Sequence, residues 1–186
     1  MTISPEVHRR FRVAAASQDL LDVAYDLIDT PVGSLLIAGS RRGLCRIEFD
    51  PEPNPDLEGL ARAFGAKVLR APGHLDPVKQ QLEEYFRGER SEFDLPVDLT
   101  PLQGFGRRVL TELARVPYGT VTTYGALARQ AERPKAARAV GTVMNRNPVP
   151  IVLPCHRVIG STGKLVGYGG GIERKEALLR LEGALT

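Results

Sequence analysis

The sequence lacks the features of a membrane protein and of a disulfide-rich protein. No run of about 18 apolar residues occurs, so no membrane-spanning helix is predicted. The first 20 residues, MTISPEVHRRFRVAAASQDL, have no long apolar core and no clear cleavage site. We therefore interpret residues 1–22 as a frayed or partly ordered arm, not a signal peptide. Only two cysteines are present, Cys45 and Cys155, which favours free thiols in the reducing cytoplasm.

Charge is unevenly distributed along the chain. Residues 1–100 hold 12 Lys and Arg against 17 Asp and Glu, a net charge of −5. Residues 101–186 hold 13 against 5, a net charge of +8. A basic second half beside an acidic first half suggests that the second half meets a polyanion such as nucleic acid. A surface that simply carries arginines is the alternative.

The first half reads as strands followed by a helix. AYDLIDTPVGSLLIAGSRRGLCRIEFD predicts three short strands separated by the turn-forming stretches TPVG and GSRRG. Strand alternation puts Cys45 on one face with Ile47 and Phe49, which favours a buried structural thiol. DPVKQQLEEYFRG predicts a helix over residues 76–88, and the proline-containing segment 95–104 marks a boundary between subdomains.

The second half predicts a helix-turn-helix. FGRRVLTELARVPYG has apolar residues at helical spacing and a Pro-Tyr-Gly stop. TYGALARQAERPKAARAVGTVMNRNP then reads as two short helices around an ERP turn. The second of these helices would bury one face (Ala136, Ala139, Val140, Val143 and Met144) and leave Arg138, Thr142 and Asn145 free for a partner. Such a pair of helices also occurs in proteins that bind no DNA.

The stretch PVPIVLPCHRVIG places Cys155, His156 and Arg157 directly after an apolar run. We interpret residues 151–153 as a short buried strand that ends at Pro154. A cysteine attacks as the thiolate, and a nearby cation or hydrogen-bond relay lowers its pKa. Neighbours in a strand face opposite sides, so His156 can activate Cys155 only if the chain turns here or a water links them. A buried structural cysteine beside a surface histidine is the alternative.

Glu182 lies near the end of a predicted final helix, ERKEALLRLEG, four residues after Leu178 and on nearly the same side. A carboxylate turned inward costs several kcal/mol unless it is paired. His156 is a suitable partner, because a carboxylate would orient its ring and raise its basicity. The spacing leaves equally open a Glu182 that frays into solvent at the helix end.

Taken together, these segments resemble one protein family. RAVGTVMNRNPVPIVLPCHRVIG, followed by GYGGGIERK, is similar to the O6-alkylguanine-DNA alkyltransferases, also called methylated-DNA–protein-cysteine methyltransferases. The resemblance is strong over residues 100–183 and weak over residues 24–95. It implies an α+β fold, with a small strand-rich, ribonuclease-H-like domain at residues 23–98. A mainly helical domain with a helix-turn-helix would occupy residues 99–186.

The resemblance also implies a function and a site. The protein would flip O6-alkylguanine, and O4-alkylthymine, out of double-stranded DNA and pass the alkyl group irreversibly to its own cysteine, once per molecule. It would need no cofactor and would be a monomer in solution, with cooperative binding to DNA left open. The implied catalytic residues are Cys155, His156, Glu182 and Asn147, the implied substrate-binding residues are Tyr124, Tyr168, Val158 and Gly169, and the implied DNA-binding residues are Arg138, Lys135, Ala136, Thr123 and Asn145.

Within these sets the resemblance gives particular roles. His156 would deprotonate Cys155 through a water molecule while Glu182 orients the histidine ring. Arg138 would fill the gap that the extruded nucleotide leaves in the duplex. The hydroxyl of Tyr124 would meet the flipped base.

Some positions depart from the family. Leu110 stands where many relatives have tryptophan, so packing there must differ. Gly169 stands where some relatives carry serine, a change expected to loosen the loop and broaden the alkyl groups accepted. Some relatives hold a structural zinc in the first domain, but residues 1–100 offer only Cys45, His8 and His74, with no cysteine pair. No metal site is therefore predicted.

Two rival functions remain open. A non-catalytic lesion sensor would bind DNA without removing the alkyl group, although relatives of that kind replace the cysteine that is present here as Cys155. A cysteine hydrolase would turn over repeatedly and would need a histidine brought to the thiol from elsewhere. His8 and His74 lie in unpromising loop contexts for that role.

Overall fold

The computed structural model describes residues 21–51, 53 and 55–185, so nearly all of the predicted arm at residues 1–22 lies outside the described residues. The chain divides into two compact units. The first runs to Glu83 and includes Asp94–Pro101, and the second joins Glu84–Phe93 to the chain from Leu102 onward. Among the described residues, no helix has the length and apolar character needed to cross a membrane.

The first unit is built on a four-stranded sheet with the order β3-β2-β1-β4. Its elements are β1 (Val23–Thr30), β2 (Gly33–Ser40), β3 (Gly43–Phe49), α1 (Leu57–Phe64) and β4 (Val68–Arg70). The first three strands form an antiparallel meander, and β4 pairs with β1 in parallel. The three predicted strands are confirmed, whereas α1 and β4 were not predicted.

The two strand connections use the residues that tight turns require. Gly33 has a φ of 104°, and the Thr30 hydroxyl donates a hydrogen bond of 2.6 Å to its carbonyl. Gly43 has a φ of 136°, and a Cβ built on it would collide with the Pro96 carbonyl oxygen. Position 43 therefore requires glycine, because any other residue would be strained at this positive φ and its Cβ would clash with Pro96.

Cys45 lies in the apolar core of the first unit, where it is 1% exposed and packs with Leu36 and Ala38. Burial raises the pKa of this thiol to about 12, which suits a structural role. Cys45 does not, however, share a face of the sheet with Ile47 as predicted. A register shift opposite Cys45 interrupts the strand alternation, and Ile47 pairs instead with Ile37.

Helix α2 (Asp76–Phe86) follows a short 3-10 turn and begins where the sequence predicts. Pro77 occupies its first turn, where a missing N–H costs nothing. Gly88 follows the helix with a φ of 72°, and its N–H donates to the Tyr85 carbonyl at 3.0 Å. The division between the two units falls within this helix, so its last turn, which carries Tyr85, belongs to the second unit.

The second unit is mainly helical. Its remaining elements are α3 (Gly104–Leu113), β5 (Thr122–Thr123), α4 (Tyr124–Gln130), α5 (Ala137–Asn145), β6 (Val158–Ile159) and α6 (Ile172–Leu181). Helix α3 buries Val109, Leu110 and Leu113, and each fully buried side chain of this size contributes about 1.5–3 kcal/mol. The short strands β5 and β6 pair in parallel and hold the start of α4 beside the Cys155 segment.

Helices α4 and α5 form the predicted helix-turn-helix. Thr123 caps α4 by accepting a hydrogen bond of 3.1 Å from the Ala126 N–H. Helix α5 buries Val140 and Met144. Ala139 was predicted to share that buried face but is exposed. The helix begins at Ala137, so Ala136 lies before it, and fewer residues form its buried face than the sequence pattern predicted.

Candidate active site

Cys155 lies in a tight turn of the second unit and not at the end of a strand. The predicted strand at residues 151–153 is wrong, because Ile151 has a positive φ of 75° and the segment makes only an isolated bridge. A β-branched residue rarely adopts that conformation, and here it reverses the chain. Cys155–Arg157 then form one turn of 3-10 helix, closed by a backbone hydrogen bond of 2.9 Å to Pro154. The chain therefore turns at Cys155 and His156, which was one of the two ways considered for the histidine to act on the thiol.

Asn147 holds the thiol and the turn that carries it. Its amide nitrogen lies 3.1 Å from Cys155 Sγ and 2.8 Å from the Leu153 carbonyl oxygen, to which it donates. Its amide oxygen accepts from the Val149 N–H at 3.1 Å. Cys155 is 5% exposed, and burial raises the pKa of its thiol to about 11 although the Asn147 hydrogen bond opposes that rise. The sulfur therefore stays protonated at neutral pH until a base removes the proton.

His156, the residue that follows Cys155 in the chain, forms a buried pair with Glu182. Glu182 follows the last residue of α6, and its Oε1 lies 2.7 Å from His156 Nε2. Arg157 binds the same carboxylate through both oxygens, with its Nε at 2.8 Å and its Nη2 at 2.9 Å. Burial would raise the pKa of Glu182, but the hydrogen bonds from His156 and Arg157 outweigh it and lower the pKa to about 2. Of the two alternatives for Glu182, the inward pairing is therefore the one present.

These contacts fix the proton on the histidine ring. An ionised carboxylate can only accept, so His156 Nε2 carries the hydrogen that faces Glu182. Burial lowers the pKa of His156 and outweighs the opposing effect of Glu182, and the charges of Arg157 and Lys175 lower it further. The ring is therefore neutral, and Nδ1 carries a lone pair. Nδ1 is buried and has no hydrogen-bond partner among the described groups, which leaves it free to act as a base.

A buried lysine and a tyrosine hold the loop that follows the thiol. Lys175 of α6 donates to the carbonyl oxygens of Val158 at 2.5 Å and Val166 at 3.0 Å. Burial lowers the pKa of Lys175 to about 8. The Tyr124 hydroxyl donates to the same Val166 oxygen at 3.1 Å. Two of the predicted substrate-binding residues, Tyr124 and Val158, are thus tied to one loop.

The other two predicted substrate-binding residues lie on that loop. Tyr168 is half-buried, and burial, together with the negative charge that Cys155 carries once it is ionised, raises the pKa of its hydroxyl. Gly169 is exposed, and a Cβ built on it would sit 3.7 Å from the nearest atom, a backbone oxygen of Asn145. A serine at this position therefore has room, so the glycine is not required by packing.

The predicted DNA-binding residues lie on or beside the helix-turn-helix. Arg138, Lys135 and Asn145 are exposed, and Ala136 is half-buried at the start of α5. Thr123 is half-buried, and its hydroxyl accepts the capping hydrogen bond of α4. Thus Arg138 and Lys135 present cations on the surface, while Thr123 also has a structural task that the sequence pattern did not reveal.

Three residues of the site were not predicted: Arg157, Tyr85 and Lys175. Arg157 also donates to the Val116 carbonyl oxygen at 2.5 Å, and Tyr85 donates to Glu182 Oε1 at 2.7 Å. All three are buried. The one available signal was the position of Arg157 directly after the histidine, since a charged residue inside a short apolar segment has to find a partner. Within the described ranges, no three or more His, Cys, Asp or Glu side chains are grouped so as to hold a metal ion.

The fold and the site define a class of protein. A buried, amide-held thiol in one turn with a neutral histidine, whose ring is paired with an ionised glutamate, is typical of a protein with a nucleophilic cysteine, and here it shares a unit with a helix-turn-helix, a motif common in DNA-binding proteins. Residues 104–184 match the family described as 6-O-methylguanine DNA methyltransferase, DNA binding domain. Residues 23–99 match the ribonuclease-like domain of the same enzyme. The chain belongs to the 6-O-methylguanine DNA methyltransferase family.

Curated relatives and solved structures agree with this. The chain is 43% identical over 164 residues to the methylated-DNA–protein-cysteine methyltransferase of Mycolicibacterium paratuberculosis, covering 86% of this chain and 92% of that one. It is 42% identical over 161 residues to the enzyme of that name from Methanosarcina barkeri, covering 85% and 96%. The crystal structure of Mycobacterium tuberculosis OGT in complex with DNA is 41% identical, with a TM-score of 0.76 and coverage of 86% and 92%. The predicted family, the α+β fold class and the methyltransferase activity are confirmed.

Proposed function

We propose that the protein repairs DNA by moving the alkyl group of O6-alkylguanine, and of O4-alkylthymine, to Cys155. The observation that carries the proposal is the Asn147-held thiol of Cys155 in the turn shared with His156, whose ring is fixed by Glu182. This arrangement suits proton removal from a sulfur that burial keeps protonated. The family match supports the substrate class.

The proposed reaction balances as one displacement. His156 Nδ1 takes the thiol proton, through one water molecule, and the Cys155 sulfur attacks the alkyl carbon. The new S–C bond forms as the C–O6 bond breaks, and the electron pair of that bond stays on guanine. The Tyr124 hydroxyl donates a hydrogen bond to guanine as negative charge develops on the base, and the proton that His156 took from the thiol passes through solvent to guanine, which leaves neutral. Tyr124 would exchange its hydrogen bond to Val166 for this one.

The product is a thioether, which no ordinary cellular thiol reverses. Each molecule would therefore act once, as both catalyst and acceptor, without a cofactor. Asn147 would hold the sulfur in line with the alkyl carbon and stabilise the thiolate as it forms. A reacting sulfur must stay reduced, which supports the cytoplasm as the proposed compartment.

We propose that residues 99–186 form the DNA-binding and alkyl-transfer domain and residues 23–98 a separate domain, in a monomeric protein. Lys135 would meet the backbone of double-stranded DNA, with Ala136, Thr123 and Asn145 close to it. The damaged base would be flipped out, at a cost of a few kcal/mol, and Arg138 would occupy its place in the stack. Tyr168, Val158 and Gly169 would then line the pocket that receives the base.

The test is the removal of the lesion from a duplex that contains one O6-methylguanine. The wild-type protein should clear the lesion, and the Cys155→Ala variant should bind the same duplex and leave the methyl group in place. Cys45→Ala is the matched control, because it removes the other buried thiol and should still clear the lesion. Removal by Cys155→Ala, or binding without removal by the wild type, would contradict the proposal. The second of these outcomes would favour a lesion sensor.

A further inference from the structure

One carboxylate oxygen accepts hydrogen bonds from three donors in the buried site. Glu182 Oε1 accepts from the Tyr85 hydroxyl and from His156 Nε2, each at 2.7 Å, and from Arg157 Nη2 at 2.9 Å. Tyr85 lies in the last turn of α2 and is 0% exposed. The three donors share the charge of a single oxygen, so a stronger bond from Tyr85 leaves less charge for His156.

The hydroxyl of Tyr85 is not needed for packing. Its ring contacts Phe86 and Phe93 at centroid distances of 5.3 Å and Tyr118 at 6.2 Å. A phenylalanine would make the same ring contacts. A hydroxyl placed in such an apolar cluster costs free energy unless it is hydrogen-bonded, and here its partner is the carboxylate that orients His156.

We propose that Tyr85 is a positioning residue that acts on His156 through Glu182 and keeps the histidine ring neutral and ready to accept a proton. This rests on the proposed function. With the Tyr85 hydroxyl present, Oε1 offers His156 enough charge to orient the ring but less charge to stabilise its protonated form. Without it, Oε1 would hold an imidazolium more tightly, and the ring would be protonated at a higher pH.

Tyr85 remains a hydrogen-bond donor throughout the working pH range. Burial and the charge of Glu182 both raise the pKa of its hydroxyl. The titratable and charged groups that face the His156–Glu182 pair are Tyr85 from α2, Tyr118 from the segment before β5, Cys155 and Arg157 from the 3-10 turn, Tyr168 from the following loop and Lys175 from α6. Of these, Arg157 also donates to Oε1, and it is unchanged in the test below.

The test is the pH dependence of single-turnover methyl transfer from an O6-methylguanine duplex. Because transfer needs neutral His156, the rate falls as the pH drops through the pKa of the ring. In Tyr85→Phe this acid limb should move up by about 0.5 to 1 pH unit, since a hydrogen bond to a charged group is lost. Below the limb, the variant should therefore be about threefold to tenfold slower than the wild type.

Tyr118→Phe is the matched control. Tyr118 packs against Tyr85, and its hydroxyl donates to the Leu181 carbonyl oxygen at 3.1 Å and not to the carboxylate of Glu182. It should leave the acid limb in place even if it lowers stability. A second variant carries 3-fluorotyrosine at position 85, which keeps the ring and makes the hydroxyl a stronger donor. Its acid limb should move to lower pH. If Tyr85→Phe does not fold, the shift measured with the 3-fluorotyrosine variant tests the proposal in its place.

The outcomes separate the two proposals. A wild type that transfers no methyl group contradicts the proposed function itself. A wild type that transfers the group, with an acid limb that is absent or that neither substitution at Tyr85 moves, overturns the role of Tyr85 alone. An equal shift in Tyr118→Phe overturns it too, since the effect would then come from general disturbance of the tyrosine cluster.

Discussion

Replacing Arg157 by methionine tests how the buried Glu182 carboxylate is stabilised. The Arg157 side chain is 7% exposed and that of Glu182 is 0% exposed. The substitution removes two hydrogen bonds to the carboxylate, at 2.8 and 2.9 Å, while keeping much of the side-chain volume. Breaking a buried ion pair from one side leaves an uncompensated charge, which costs about 3–5 kcal/mol. We expect the free energy of unfolding of Arg157→Met at pH 7 to fall by that amount.

The loss should depend on pH, and the pKa of Glu182 sets the window. In the folded protein this pKa is about 2, against an ordinary value of 4.5. The difference corresponds to about 3 kcal/mol, at 1.36 kcal/mol for each pH unit. Because the folded-state pKa is the lower one, this stabilisation is complete above pH 4.5 and is lost as the pH falls toward 2.

In Arg157→Met, burial would no longer be opposed by the guanidinium, so the pKa of Glu182 would rise. The carboxyl group would then be protonated at a pH where the wild type is still ionised. The gap in stability between the two proteins should therefore be widest near neutral pH and narrow as the pH falls.

Urea unfolding at a series of pH values measures this gap. Arg115→Met is the matched control, because Arg115 is 69% exposed and its ion pair with Glu112 lies at the surface. It should change stability by no more than about 0.5 kcal/mol at any pH. The reasoning fails if Arg157→Met is as stable as this control at pH 7, or if its deficit stays constant down to pH 2.

Other substitutions test the DNA surface and the glycines. Arg138→Ala should slow transfer from duplex DNA by about tenfold, since flipping costs a few kcal/mol, and leave transfer from free O6-methylguanine base unchanged. Equal losses on both substrates would argue against its role in the stack, and Arg180→Ala, an exposed arginine of α6, controls for charge. Gly43→Ala should lower the free energy of unfolding by more than about 2 kcal/mol, because it combines positive φ with a collision on Pro96. Gly169→Ser should stay within about 0.5 kcal/mol of the wild type in the same unfolding assay, and a large loss there would contradict the room found for a side chain.

Much of the site could be predicted from the sequence, because its central residues are neighbours along the chain. Asn147, Cys155 and His156 lie within one short segment that carries a specific motif. The spacing from Leu178 predicted that Glu182 lies on the inner side of its helix. Whether it pairs with His156 or extends into solvent depends on the tertiary fold, which the sequence pattern does not show. The contact of 2.7 Å between Glu182 and His156 settles that choice.

The residues that escaped prediction depend on tertiary contacts. Tyr85 lies 97 positions from Glu182 in sequence, and nothing local distinguishes it from an ordinary packing residue. Lys175 reads as a solvated lysine of an amphipathic helix, yet it is 0% exposed because two carbonyl groups accept its hydrogen bonds. A buried cation can be recognised only when the groups that satisfy it are known.

Two errors in secondary structure have local causes. The apolar run at residues 151–153, bounded by prolines, has the composition of a buried strand, but Ile151 takes a left-handed backbone conformation and reverses the chain. Helix α1 was not predicted, because the stretch rich in Pro, Asn and Asp before it has the composition of a loop and continues into the first turn of the helix. Its cap is Asp56, which accepts from the Gly59 N–H at 2.8 Å.

The measurement that most directly tests the chemistry is intact-protein mass spectrometry, with peptide mapping, after incubation with excess O6-methylguanine duplex. We predict that each molecule gains the mass of one methyl group, that the gain is located on Cys155, and that removal of lesions stops at one equivalent. Continued removal beyond one equivalent, an unmodified protein beside repaired DNA, or a methyl group found on Cys45 would contradict it.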